Sequence, residues 1–489
     1  MQTRGYHTNR SAKGPAMQIV LDLADEFKPV LDELTLLLRV VQAKVEEIRT
    51  APAPDYAAIE RELAARTAAI EAESHGVLLR AADLDAPRIL VGGDVHRRVG
   101  RHAATYYTAA GPVVVERSIY LAADGKGGRT VDPVSLRLGV VGDGWLPHAA
   151  RSMAFLVQQG TAREAAATAS ELGRLPYGHA SFDRVAHAVA TLYQQHAETT
   201  EQALIEAYRV PEAATGIAVS LDRVCVPVEE PRPRPVGRPP KGAPKKPVQR
   251  VFRQAYCATI TLHDGKGEAL HTIRYGRMPE GDVKGLCEGV CDDVLALLTA
   301  KPTLTVTALC DGAHELWGLI AEHLGAITKR TPIRELIDLW HLLEKLGASA
   351  RIHYDASGAS AAVARWRTSL LNHSGAGAKI AAEIASWEQE WVAIGEEKPV
   401  HEALSFLANH RDRLDYATAR DEGRPVGSGA VEATCKSLIA VRLKRPGARW
   451  KQPSADRIIQ LRALALSDRW GDAIELTLGH QRREVKMAA

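Results

Sequence analysis

The sequence predicts a multidomain chain of mixed α+β and α/β character, and three observations carry that expectation. Apolar residues recur at helical spacing near both ends and through 350–420. β-Branched and aromatic runs punctuated by Gly, Asp and Pro cluster at 88–140, as in a small antiparallel sheet. From residue 216 the order is three strands, a helix, a strand and then helices. At 489 residues the chain is long enough for several domains. Its 46% hydrophobic and 25% charged content is ordinary for a globular protein. With a net charge of only +3, a polyanion site has to come from local clustering.

Residues 1–16 read as a basic arm without an apolar core. Over 17–50 a helix is expected, with Pro29 as a kink or boundary. Leu34, Leu38, Val41, Val45 and Ile48 step by four and three along it, a heptad seam open to an internal hairpin or a second copy. After a proline break at 51–54, a second helix carries Ile59, Leu63, Ile70 and Val77 on one face. Residues 1–86 thus form a helical hairpin suited to dimerisation, and 87–145 a β-rich module. In 146–212, Thr161 and Glu164 make a capping-box signature. A glycine-bearing turn follows, then a helix capped by Ser181 with Arg184 and His187 facing out, which is helix-turn-helix-like; a plain helical pair is the competing reading.

The run 216–228 is a nearly continuous apolar strand interrupted by Asp222, a placement that requires a partner or a cation. A basic proline-rich insertion (229–250) follows, in which 231–250 carry seven cations and no acid, including Arg232, Arg234, Arg238, Lys241, Lys245 and Lys246. Gly237-Arg238-Pro239 resembles an AT-hook, with Val236 where that motif has arginine. Strands at 256–262 and 269–275 form a hairpin, a helix covers 283–297, and 304–313 is a strand ending in Asp311. Beyond it come a helix at 315–324, a short strand at 326–333 and a helix at 334–346. At Val426–Lys451 a glycine-flanked serine opens a helix with Glu432 in its first turn, where the macrodipole favours a carboxylate. Lys436, Arg442, Lys444, Arg445, Arg449 and Trp450 follow without an acid, a pattern suited to a polyanion. The tail after Trp450 is expected to be helical.

Three antiparallel strands followed by α/β crossovers is the RNase H-like layout, in which the first and fourth strands are neighbours. Asp222 and Asp311 would then converge, and hard oxygen ligands of this kind suit two Mg²⁺ ions, with Mn²⁺ as a substitute. The core would span 213–347 and 421–489, interrupted by helices at 348–420. The six cysteines contain no CxxC pair and read as reduced and mostly buried. No apolar run approaches the ~20 residues of a membrane span, so a cytoplasmic, nucleoid-associated protein is expected.

Four motifs carry a resemblance to a known family: the strand acid of SLDRVCVP, LCDGAHELW at 309–317, LIDLWHLLEKL at 336–346, and the VGSGAVEATCKSL…RLKRPGARW segment. Together the chain resembles the DDE insertion-sequence transposases of the ISKra type, related to the Mutator-like group, from about residue 90 onward. The resemblance implies Asp222, Asp311 and Glu432 as catalytic triad and metal ligands, and Asp338 and His341 as a C/D(2)H motif. It implies a helical insertion domain in the 121 positions between Asp311 and Glu432. Double-stranded DNA (terminal inverted repeats and target) would be the partner, bound by a homodimer or larger oligomer. The basic proline-rich segment is a departure from the family pattern. A DNA-binding regulator, an inactive domesticated descendant and an RNase H-like nuclease without strand transfer stay open as alternatives.

Deleting 231–250 is expected to weaken DNA binding and flatten its salt dependence, by up to roughly 6 in the log–log slope if every cation meets a phosphate. Affinity measured across a salt series checks this, and an unchanged slope would make the segment a spacer.

Overall fold

The computed structural model describes residues 22–123, 128, 130–230, 249–279, 283–387 and 398–488. The basic arm at 1–16 and Arg232, Arg234, Arg238, Lys241, Lys245 and Lys246 lie outside these residues.

The first two helices are Lys28–Thr50 and Tyr56–Ala82. Pro29 sits in the first turn, where its missing N–H costs nothing, so it starts the helix and does not kink it. Asp55 caps the second helix by accepting the Ala58 amide at 3.0 Å. The hairpin forms, but not through the heptad seam. Val30, Leu36, Leu37 and Val40 are half-buried, whereas Leu34, Leu38, Val41, Val45 and Ile48 are all exposed, Leu38 by 60%.

A four-stranded antiparallel sheet follows, built from β1 (Arg88–Val91), β2 (Asp94–Tyr107) and β3 (Pro112–Ala122). Gly92 and Gly93, both at positive φ, make the tight β1–β2 turn that two left-handed positions permit. The fourth strand comes from the far end of the chain: Val485–Met487 pairs with β1. The tail was expected to be helical throughout. Its last residues are instead strand, because Ile89, Tyr120 and Val485 bury one another at that edge.

The second sheet takes β4 (Gly216–Glu229), β5 (Arg250–His263), β6 (Ala269–Arg277), β7 (Thr305–Cys310) and β8 (Ile333–Ile337) in the order β6-β5-β4-β7-β8. The first three strands run antiparallel, and β4–β7 and β7–β8 are parallel. Parallel neighbours need crossovers, here the helices Val283–Ala300 and His314–His323. The strand expected at 326–333 is absent: Gly325–Thr328 is a helical turn, and the strand occupies residues expected to begin the next helix. Pairing with β7 from Ile333 to Ile337 and the capping of the next helix by Asp338 keep that stretch extended.

Alternation along β4 and β5 sorts side chains onto two faces. Ile217, Val219, Leu221, Ala258, Ile260 and Leu262 enter the large core shared with the crossover helices. Val226, Val228, Ala255 and Cys257 enter a second core, which Val431, Cys435, Leu438 and Ile459 close from the other side. Asp222 pairs with Cys257 in register, so its side chain belongs to this second face.

Between β8 and Ser428 run the helices Leu339–His353, Ala356–Asn372, Ala376–Ala385, Pro399–Asn409 and Tyr416–Asp421. Their Trp366, Ile380 and Leu407 belong to the same continuous core as the sheet. Upstream of β4, Pro147–Gln159, Ala162–Glu171, His179–Gln195 and Ala197–Ala207 share a core with Ile458, Leu461 and Ile474 of the C-terminal helices Gln452–Leu466 and Trp470–Gly479. The capping box at Thr161 and Glu164 is present. Gly178, not Ser181, caps the next helix, and His187 is half-buried where exposure was expected, because this helix packs in that core. No helix among the described residues is long and apolar enough to cross a membrane.

Gly276 in β6 is where Gln452–Leu466 and the Glu432-bearing segment approach the sheet. A Cβ there would meet Leu438 Cδ2 at 2.9 Å and clash with Ile459. Gly276→Val is expected to destabilise by about 1–3 kcal/mol. Gly289, exposed on a helix with open space around it, should gain about 0.5–1 kcal/mol as Gly289→Ala. Denaturant melts of both variants check the pair; a neutral Gly276→Val would mean the approach is loose.

Candidate active site

Three chain segments meet at the end of the parallel strand pair. β4 and β7 pair from Gly216↔Thr305 to Val219↔Ala308, and the Leu221 amide donates to Cys310 Sγ at 3.1 Å, again 89 positions apart. The same offset carried one residue on sets Asp222 level with Asp311, which follows the last residue of β7. Both are half-buried. Burial raises the Asp222 carboxyl above its ordinary value. Hydrogen bonds from Cys435 and the Arg223 amide oppose that rise, and the Asp311 charge adds to it. Asp311 closes its own turn, Oδ1 accepting the Ala313 amide at 2.9 Å and its carbonyl accepting Trp317 Nε1 at 2.7 Å.

Asp338 ends β8 and caps the helix Leu339–His353. It has no solvent exposure. Its Oδ1 accepts the His341 amide at 2.9 Å and faces His341 Nδ1 at 3.2 Å, while Oδ2 accepts the Ser428 amide. Burial pushes its pKa up, but the hydrogen bonds from His341 and Ser428 outweigh it and hold the carboxyl at about 2. For His341 the hydrogen bond to Asp338 dominates; with the charges of Asp338, Asp311 and Glu432 it overcomes burial and lifts the imidazole to about 9.

Glu432 lies in the first turn of Gly429–Thr434, four residues past the Ser428 amide that Asp338 holds. Its Oε1 is 3.7 Å from His341 Nδ1. The helix then widens into a π-helical stretch, Cys435–Ala440, a form found mostly as single turns at functional sites. Val431, Cys435, Leu438 and Ile439 are buried as their spacing predicts, and Cys435 reaches both Asp222 and Cys257.

Asp338, His341 and Glu432 each bring a donor atom within 4.8 Å of the others. Asp338 is nonetheless a poor ligand, because both of its oxygens already accept hydrogen bonds. Asp222 and Asp311 lie outside that group, so among the described residues the Asp222, Asp311 and Glu432 carboxylates are not gathered within the same 4.8 Å. An imidazole oriented by a carboxylate is how metal sites fix a ring nitrogen, and Asp338 holds the His341 ring in that way.

The cations expected to bind DNA divide by position. Arg184, Lys436, Lys444 and Arg449 are exposed, Arg449 lying 3.5 Å from Glu229. Arg445 is exposed but joined to Glu164 through two contacts of 2.7 and 2.6 Å. Arg442 and Trp450 are not surface groups. Arg442 is 4% exposed, donates to the Val157 carbonyl at 3.1 Å and lies 4.8 Å over the Trp450 ring; burial pushes it down to about 10. Trp450 packs half-buried between the two cores under the C-terminal helices. Sequence reasoning passed over three neighbours of the site. His410, 3% exposed, faces the Gly312 backbone from the helical region, and Cys435 touches Asp222. Trp340 stands exposed within the LWH motif itself, where its adjacency to His341 was already readable.

No family model matches the chain, and no curated protein matches it. Among solved structures it is similar to the Drosophila P element transposase strand transfer complex at 11% identity, over 68% of this chain and 81% of that one, with a TM-score of 0.23.

In metal-free protein the His341 ring is expected to titrate near pH 9 and not near 6.5, and Asp338→Asn to bring it back down. A raised histidine pKa contributes stability that is full below 6.5 and lost as pH rises through about 9. The lowered Asp338 contributes above 3.8 and is lost as pH falls through about 2. NMR titration of the imidazole in both proteins checks this; a His341 titrating near 6.5 would remove the dyad.

Proposed function

We propose that the chain is a DNA transposase of the DDE type on an RNase H-like core, with Asp222, Asp311 and Glu432 as the metal-binding triad. The observation that carries this reading is the parallel β4–β7 register, which sets Asp222 and Asp311 level while the Ser428 segment delivers Glu432 beside His341. Two Mg²⁺ ions, or Mn²⁺, would supply Lewis-acid activation of the attacking oxygen and neutralise charge at the leaving oxygen. The three carboxylates would hold the ions; burial, and to a lesser degree the Asp311 charge, raises the Asp222 pKa. With Nδ1 turned to Asp338, His341 keeps Nε2 for a proton or a phosphate oxygen.

The chemistry is in-line displacement at phosphorus. A water oxygen bonds to phosphorus as the P–O3′ bond breaks, and the 3′-oxygen leaves as a hydroxyl. In strand transfer that hydroxyl oxygen attacks a target phosphodiester, one P–O bond forming as another breaks. The helices of 348–420 act as the insertion domain. The exposed cations Arg184, Lys436, Lys444 and Arg449, with the segment 231–250, bind the DNA backbone. The open heptad seam is the surface for a second copy.

Asp222→Asn, Asp311→Asn and Glu432→Gln are each expected to abolish Mg²⁺-dependent strand cleavage while DNA affinity stays near wild type, since amides are poor ligands for hard cations. Incubation with DNA flanking the gene, read for cut and joined products, is the test. Wild-type cleavage in any one variant removes that residue from the triad, and cleavage without joining reassigns the chain to the nucleases.

A further inference from the structure

The described residues hold seven tryptophans. Trp145, Trp317, Trp366, Trp387 and Trp470 are buried and Trp450 is half-buried. Trp340 alone among them is exposed, by 53%. It is the second residue of the helix that Asp338 caps and precedes His341, so it stands beside the group formed by Asp338, His341 and Glu432. The glycine-flanked segment leading to Glu432 runs against its pyrrole edge: a Cβ on Gly427 would lie 3.3 Å from Trp340 Cδ1 and Nε1. From the helix Ala356–Asn372, the Arg367 guanidinium sits 5.3 Å from the ring centroid. Arg367 is itself exposed and forms no ion pair or side-chain hydrogen bond with the described residues. Nor does the indole N–H have a partner there.

An indole more than half exposed contributes less to the fold than the buried tryptophans do. A cation over an aromatic ring beside a phosphodiester-cleaving centre has two functions to offer: the π surface takes a base, and the charge takes a phosphate. A lipid or peptide would use the indole but not the unpaired guanidinium and the adjoining carboxylates together. We propose that Trp340 and Arg367 form a platform for one unpaired base beside the scissile phosphate, the indole stacking on the base and the guanidinium meeting a backbone phosphate. The proposal rests on the reading of the cluster as a nucleic-acid strand-cleaving site. It adds the substrate's local form: a strand opened at the cleavage point, with a base out of the stack.

The probe is a DNA duplex with a single-stranded flap carrying 2-aminopurine at the junction, bound in Ca²⁺ so that it is not cut. Wild type is expected to quench the 2-aminopurine fluorescence. Trp340→Ala should abolish the quenching and weaken flap binding by roughly 5- to 100-fold, with little effect on intact duplex. Trp340→Phe should restore part of both, and Arg367→Ala should lower affinity with a shallower salt dependence. Unchanged quenching and affinity in Trp340→Ala, or an equal loss on flap and intact duplex, would overturn the platform while leaving the triad to stand on its own variants. Wild-type cleavage by the triad variants would instead sink the functional reading, whatever the fluorescence shows.

Discussion

A carboxylate with no solvent exposure persists only when its lone pairs are filled, and Asp338 fills its own from two separate pieces of chain. The His341 amide and ring serve one oxygen, and the Ser428 amide serves the other. Its own amide donates to the Cys310 carbonyl at 2.8 Å, which binds the end of β8 to the end of β7 just before Asp311. The Leu339 amide reaches the Val426 carbonyl at 3.1 Å, a second stitch to the same returning segment. One buried acid thus gathers the Asp311 turn, the His341 helix and the entry to the Glu432 helix. The chain leaves the sheet at β8, winds through five α-helices among the described residues and is caught again at Ser428. Without Asp338 the buried Ser428 amide would lose its partner, at a desolvation cost of about 1–3 kcal/mol.

The returning helix is then gripped from below. Leu438 and Ile459 close on the bare backbone of Gly276, and Cys435 sits between Asp222 and Cys257. Cations serve as struts in the same region. Arg442 donates to the Val157 carbonyl and Arg462 to the Gln158 carbonyl at 3.0 Å, both at the C-terminal end of Pro147–Gln159. The last carbonyls of a helix lack intrahelical donors and carry partial negative charge, so arginine is the side chain that suits them. Part of a stretch that reads as a uniform cationic surface is therefore spent inside, tying the helices upstream of β4 to the sheet.

Much of the architecture was legible because its signals are local. Alternation marked β4 and the β5–β6 hairpin, three- and four-residue spacing marked the helices, and the Thr161–Glu164 pair marked a capping box that is present. The elements carrying Asp222, Asp311 and Glu432 could be named for the same reason. Local signals misled where a short segment is decided by what it pairs with. Ile333–Ile337 is extended because β7 offers it a ladder, and Val485–Met487 because β1 has a free edge. The heptad seam was legible as a pattern, but the hairpin packs through Val30, Leu37 and Val40 and leaves the seam open.

By itself the sequence determined which residues lie on strands and helices, where acids interrupt apolar runs and where cations concentrate. Each of these depends on neighbours within a turn or two of chain. Only the tertiary structure decided that the β4 and β7 acids stand level, since register belongs to a pair of strands and not to either one. It also decided which aromatic meets solvent. In sequence Trp450 sits among cations and Trp340 among leucines, yet the first is half-buried under the C-terminal helices and the second stands exposed beside His341. Arg442 makes the point most plainly, its hydrogen-bond partner lying 285 residues away. Burial is set by which distant segments meet, and no local pattern of charge or hydrophobicity encodes that meeting.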